Sequence, residues 1–164
     1  HPHQLAGTLQ RLIDRGLVQM VGVSNYSPSQ TAALGDALTV PLVSTQPELS
    51  AAALGALGDG TLDMAITHGR TVLAWSPLSG GRLLSGNGVR AELLARLDAI
   101  AEREGVDRAT VCYAFVLAHP SRPVAILGTQ QPERVHQAWR AGNVHLDRSD
   151  VFAIVEASSG VPLP

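Results

Sequence analysis

Four short apolar segments, each followed by residues at helical spacing, constrain the fold of this chain more than any other feature of its sequence. They run from Leu17 to Val23, Leu42 to Gln46, Thr71 to Trp75 and Val124 to Leu127. Short apolar runs of this kind read as strands of a parallel sheet, covered on both faces. Helices are expected over residues 4 to 15, closed by Gly16, and from the Ser27-Pro28 cap to about Leu38. Further helices are expected near Asp63 to His68, over 90 to 104 and 108 to 118, from Pro132 to Ala141, and finally from Asp147 to Ala157. Every link between strands is long enough for a right-handed helical crossover.

Strands alternating with helices build either a doubly wound sheet or a (β/α)8 barrel. The first would carry G-x-G-x-x-G between a strand and its helix, and neither Gly80-Gly81 nor any other site has that spacing. The expected class is therefore α/β, a parallel (β/α)8 TIM barrel. A complete barrel takes about 250 residues. The 164 residues here supply about four strand-helix units, a half-barrel forming a single domain over 1–164 with a C-terminal helix.

In such a barrel the working groups sit where strands end. Those ends carry Ser24-Asn25, Gln46, Trp75-Ser76-Pro77-Leu78, and Gly128-Thr129 with Arg134. Ser24, Asn25 and Gln46 offer the donors and acceptors that a carboxamide needs, and Trp75 a flat partner for an aromatic ring. Gly128-Thr129, the helix start beyond them and Arg134 offer the amide and guanidinium donors that bind phosphate. Together these functions outline a nicotinamide dinucleotide.

In motif, spacing and order, the chain resembles the aldo-keto reductase family from about Leu5 onward. The matching stretches are Gly16-Leu-Val-Gln-Met-Val-Gly-Val-Ser-Asn-Tyr26, Gln46-Pro-Glu-Leu-Ser50, Ala74-Trp-Ser-Pro-Leu-Ser-Gly-Gly81, His119-Pro120 and Ile126-Leu-Gly-Thr-Gln-Gln-Pro-Glu-Arg134. The resemblance implies reduction of a carbonyl, aldehyde or ketone, to an alcohol with NADPH. By position, Ser24, Asn25 and Gln46 would hold the carboxamide, and Trp75 would stack on the nicotinamide. Ser76, Pro77, Leu78 and Gly80 would approach the pyrophosphate. Gly128, Thr129 and Arg134 would hold the 2′-phosphate, with Gln137 near the adenine. Gly128 stands where relatives often carry lysine, and Ala138 where an asparagine often follows the adenine contact, which leaves Arg134 most of the discrimination between NADPH and NADH.

The family's proton-donating tyrosine, with its lysine, aspartate and histidine, belongs to earlier strands. All 12 basic residues here are arginine, so the lysine is missing independently of any alignment. No catalytic residue is therefore assigned to this chain. Tyr26 has no nearby cation in sequence to activate it as a proton donor and reads as packing. Two arrangements stay open: a cofactor cradle completed by an N-terminal half, or a non-catalytic half-barrel whose exposed edges are covered by a partner or a second copy.

Several functions are disfavoured. A net charge of −2 offers no basic field for nucleic acid. No stretch approaches the roughly 20 apolar residues of a membrane helix. The single Cys112, in an apolar run, fits a reducing cytoplasm. His1-Pro2-His3 imitates a zinc motif but has no strand before it, so no metal is expected. Glu48 and Glu133 follow different strands and do not make a carboxylate pair.

Overall fold

A computed structural model describes residues 1–163; Pro164, the last residue of the expected domain, lies outside the described residues. Four parallel strands, β1 (Val21–Ser24), β2 (Leu42–Gln46), β3 (Thr71–Ala74) and β4 (Val124–Ala125), lie side by side in chain order. Helix α1 (Pro2–Asp14) precedes β1, and α2 (Pro28–Gly35) crosses from β1 to β2. The β2–β3 link holds the single turn α3 (Gly55–Gly58) and α4 (Thr61–Thr67). Between β3 and β4 come a 3₁₀ turn (Ser79–Gly81), α5 (Arg82–Ser85), α6 (Ala91–Glu104) and α7 (Arg108–Leu117). After β4 follow α8 (Pro132–Trp139), a second 3₁₀ turn (Arg140–Asn143) and α9 (Arg148–Ser159). None of the described helices is long and apolar enough to cross a membrane.

The order β1-β2-β3-β4 without reversal is that of a barrel, because a doubly wound sheet changes direction at its first strand. Among the described residues β1 and β4 each pair on one side only, so the strands form an open arc of a (β/α)8 barrel. The β1 side chains alternate: Val21 and Val23 are buried, while Gly22 and Ser24 are exposed. Val21 and Val23 pack with Ala6, Leu34 and Leu42 beneath α1 and α2. A larger core joins Val72 and Ala74 of β3 to Leu93, Leu97, Val111, Phe115 and Ile154 on α6, α7 and α9. Gly22 is fixed by close approach, since a Cβ there would lie 2.9 Å from the Ser44 backbone oxygen.

The expected strands exist, but three of the four are shorter than their apolar runs. The first opens at Val21, not Leu17, because Gly16 turns the chain at φ +69 and leaves Leu17 and Met20 62% and 65% exposed. The third and fourth end at Ala74 and Ala125, although Trp75 still bridges to Glu48 and Ile126 N–H donates to the Ala74 carbonyl at 2.9 Å. The α2 and α8 helices stop at Gly35 and Trp139, before the expected Leu38 and Ala141. In the second case the tighter 3₁₀ turn continues the coil. Asp147 caps α9 and so precedes it; the helix runs on to Ser159, where Gly160 at φ +72 ends it. The single turns α3 and α5 were not expected from the sequence, being too short to show periodicity.

Candidate functional site

The ends of β1, β2 and β3 are tied into one hydrogen-bonded group. Asn25 follows β1 with φ 55, a left-handed conformation that asparagine tolerates, and Ser27 then starts α2 with a capping box to Gln30. Ser24 Oγ and Asn25 N–H both donate to the Gln46 carbonyl, each at 3.1 Å. Trp75 Nε1 donates to Asn25 Oδ1 at 2.8 Å. This bond holds the half-buried indole beside the exposed Asn25. Among the described residues the side-chain amides of Asn25 Nδ2 and of Gln46 make no hydrogen bond, so both keep polar atoms for a ligand.

Beyond Trp75 the backbone is kept in a conformation that costs free energy. Ser76 and Ser79 have φ 55 and 52, and Gly80 and Gly81 also turn left-handed at 63 and 86. Each non-glycine residue there costs on the order of 1–3 kcal/mol, sustained only when neighbours fix it. The neighbours are present: Ser76 Oγ accepts from Gly80 N–H at 2.9 Å, Ser79 N–H donates to the Ser76 carbonyl at 2.7 Å, and Arg82 donates to Ser79 Oγ at 2.6 Å.

This loop forms one wall of a cavity of about 920 Å³. Leu84 of α5, Asp98 of α6, the N-terminal part of α7, the segment from Ile126 to Thr129 and one face of α8 form the rest. Ser76, Pro77, Leu78, Gly80, Gly128, Thr129, Arg134 and Gln137 line it. Ser24, Asn25, Gln46 and Trp75 do not line it; they make a second group, joined to the cavity through the Trp75–Ser76 peptide. The twelve residues expected from the sequence thus fall into two adjoining sets on the C-terminal side of the strands.

Sequence reading missed Asp98, Arg108 and Tyr113, which also line the cavity. Arg108 is the first residue of α7, where a cation opposes the helix dipole and needs a partner. Asp98 is that partner, accepting from Arg108 Nε at 2.6 Å; Arg108 Nη1 also donates to the Leu83 and Leu84 carbonyls at 3.1 and 3.3 Å. The Arg108 guanidinium holds the Asp98 carboxyl below the usual range. Asp107 caps α7, accepting from Thr110 N–H at 2.7 Å. Arg134, exposed in the first turn of α8, is in no ion pair among the described residues. Tyr113 is buried with its ring among Ala114, Ala138 and Ala141, and burial raises its phenol pKa. A tyrosine inside an apolar run looks like core, and only its position against the cavity reveals its hydroxyl.

Comparison with known proteins identifies the family and the fold. The sequence model of the Aldo/keto reductase family matches residues 2–159. A 6-dehydroglucose reductase of Novosphingobium aromaticivorans is 39% identical over 100% of this chain and 54% of its own length. Oxidoreductase YdhF of Escherichia coli is 35% identical over 98% of the chain and 54% of its own. The chain spans about half the length of these curated relatives. The crystal structure of a thermostable aldo-keto reductase superposes with a TM-score of 0.84 at 20% identity, covering 96% of this chain and 55% of that one, a likeness of fold. With a matching family model across nearly its whole length and the parallel strand arc of that fold, the chain belongs to the aldo/keto reductase family.

Proposed function

We propose that this chain supplies the NADPH cradle of a cytoplasmic carbonyl reductase that converts an aldehyde or ketone to an alcohol. The observation that carries the proposal is the cavity of about 920 Å³ lined both by Arg134, in no ion pair among the described residues, and by a loop of left-handed residues. The donor set suits a dinucleotide phosphate: a guanidinium, the Thr129 hydroxyl, and a nearby strand-end group with open amides. The 39%-identical relative, a 6-dehydroglucose reductase, supports a carbonyl substrate.

In this reading Asn25, Gln46 and Ser24 hold the carboxamide, and the Asn25–Trp75 bond sets the indole as the platform for the ring. Ser76, Pro77, Leu78 and Gly80 shape the pyrophosphate wall. Gly128, Thr129 and Arg134 take the 2′-phosphate, and Gln137 lies toward the adenine. When bound, the nicotinamide supplies hydride to the carbonyl carbon. The proton for the oxygen comes from outside these residues, because a tyrosine activated by lysine cannot be assembled in a chain without lysine. The chain by itself is therefore expected to bind without turnover.

Arg134→Ala tests the assignment. A charge-assisted contact is worth roughly 1.5–3 kcal/mol, so the NADPH Kd should rise about tenfold or more while the NADH Kd stays within about twofold. An equal loss for both nucleotides would overturn the placement of the phosphate.

A further inference from the structure

Four titratable residues besides Arg134 line the cavity: Asp98, Asp107, Arg108 and Tyr113. The two aspartates are acceptors only when ionised and cannot donate to an anion. Arg108 is engaged, with Nε and Nη2 on Asp98 and Nη1 on the Leu83 and Leu84 carbonyls. Tyr113 differs from all of these. The residue is only 6% exposed, its ring packed against α8 and the 3₁₀ turn that follows. Its hydroxyl donates to nothing and accepts from nothing among the described residues. Yet no described buried side-chain oxygen or nitrogen lacks a partner, so the hydroxyl oxygen is not fully buried, and the opening that Tyr113 lines is the cavity.

We propose that the Tyr113 hydroxyl is a ligand-contacting group, donating a hydrogen bond to the phosphate ester that Arg134 holds. This rests on reading the cavity as the NADPH site. Arg134 and Tyr113 line the same cavity, and burial pushes the phenol pKa up, which favours its protonated, donating form. A protonated phenol on a packed ring loses little conformational freedom on binding, so it complements the exposed, mobile-stemmed arginine with a fixed donor. It also supplies a donor to a phosphate segment whose first position is Gly128 and has no side chain to offer.

Tyr113→Phe removes the hydroxyl and keeps the ring. Titration of the purified protein should show the NADPH Kd raised about three- to tenfold, the effect of one hydrogen bond, with NADH, which lacks the 2′-phosphate, bound as before and the unfolding midpoint unchanged. In an Arg134→Ala background the same change should have a smaller effect, because the two groups share one ligand atom set. Wild-type NADPH binding with an unchanged Tyr113→Phe Kd would overturn the role of Tyr113 alone. An equal loss for NADPH and NADH would overturn it too, by showing a packing role. Absence of NADPH binding in the wild type would overturn the nucleotide reading and this inference with it.

Discussion

Gly22 shows how a single position can be fixed by its neighbour strand. Its paired residue is Ser44, and any side chain at 22 would press on the Ser44 backbone oxygen, which cannot give way without breaking the β1–β2 pairing. Gly22→Ala should cost about 1–3 kcal/mol, read as a lower urea midpoint; a midpoint equal to wild type would contradict the packing. Cys112 makes the opposite kind of prediction. It is wholly buried in α7, and burial pushes its thiol up to about 12. A thiol-reactive dye at pH 8 should label it only after unfolding, and rapid native labelling would contradict its burial. Strand-end polar residues were legible in the sequence because a serine-asparagine pair has no reason to end an apolar run except a turn or a ligand. Arg108 and Tyr113 were not, since their meaning depends on Asp98 and Arg134, residues 10 and 21 positions away that only folding brings to the same cavity.

At the scale of elements, α9 is held by charge as well as by packing. Asp147 and Asp150 form a capping box at its start, and Arg103 of α6 donates to both oxygens of Asp150 at 2.9 and 2.8 Å. That guanidinium holds the Asp150 carboxyl below the usual aspartate range. A depressed pKa in the folded state contributes stability that is complete above the unfolded value of about 3.9 and is lost as pH falls through the folded one. Asp150→Asn should therefore unfold at a lower temperature than wild type at pH 7, with the gap closing as pH is taken below about 4. A gap that persists in acid would contradict the ion-pair origin. The helices α6 and α7 were legible almost to the residue, because Gly105 at φ +63 and the Asp107 cap punctuate them. The strands were less so: apolar composition marks which residues are covered, whereas strand length depends on how far the neighbouring strand pairs. The β4 pairing reaches only Leu73 and Ala74, so the sheet ends there although Ile126 and Leu127 are apolar.

The described residues form an arc whose edge strands, β1 and β4, pair on one side only. Met20 beside β1 is 65% exposed, Val124 on β4 is 51% exposed, and Trp139 on the α8 flank is 85% exposed. Unpaired backbone flanked by apolar side chains invites association. Sedimentation of the 164-residue chain at micromolar concentration is expected to show a species heavier than its 17.2 kDa monomer; a stable monomer would contradict sticky edges. In the proposed function, a cradle built from the ends of β1 to β4, in a chain without lysine, would separate binding of NADPH from protonation of the product. The most direct test is NADPH fluorescence titration of the 164-residue chain, its intact mass verified, followed by addition of an aldehyde. Saturable NADPH binding with no aldehyde-dependent oxidation is the predicted result. Steady oxidation of NADPH by the homogeneous chain would contradict it.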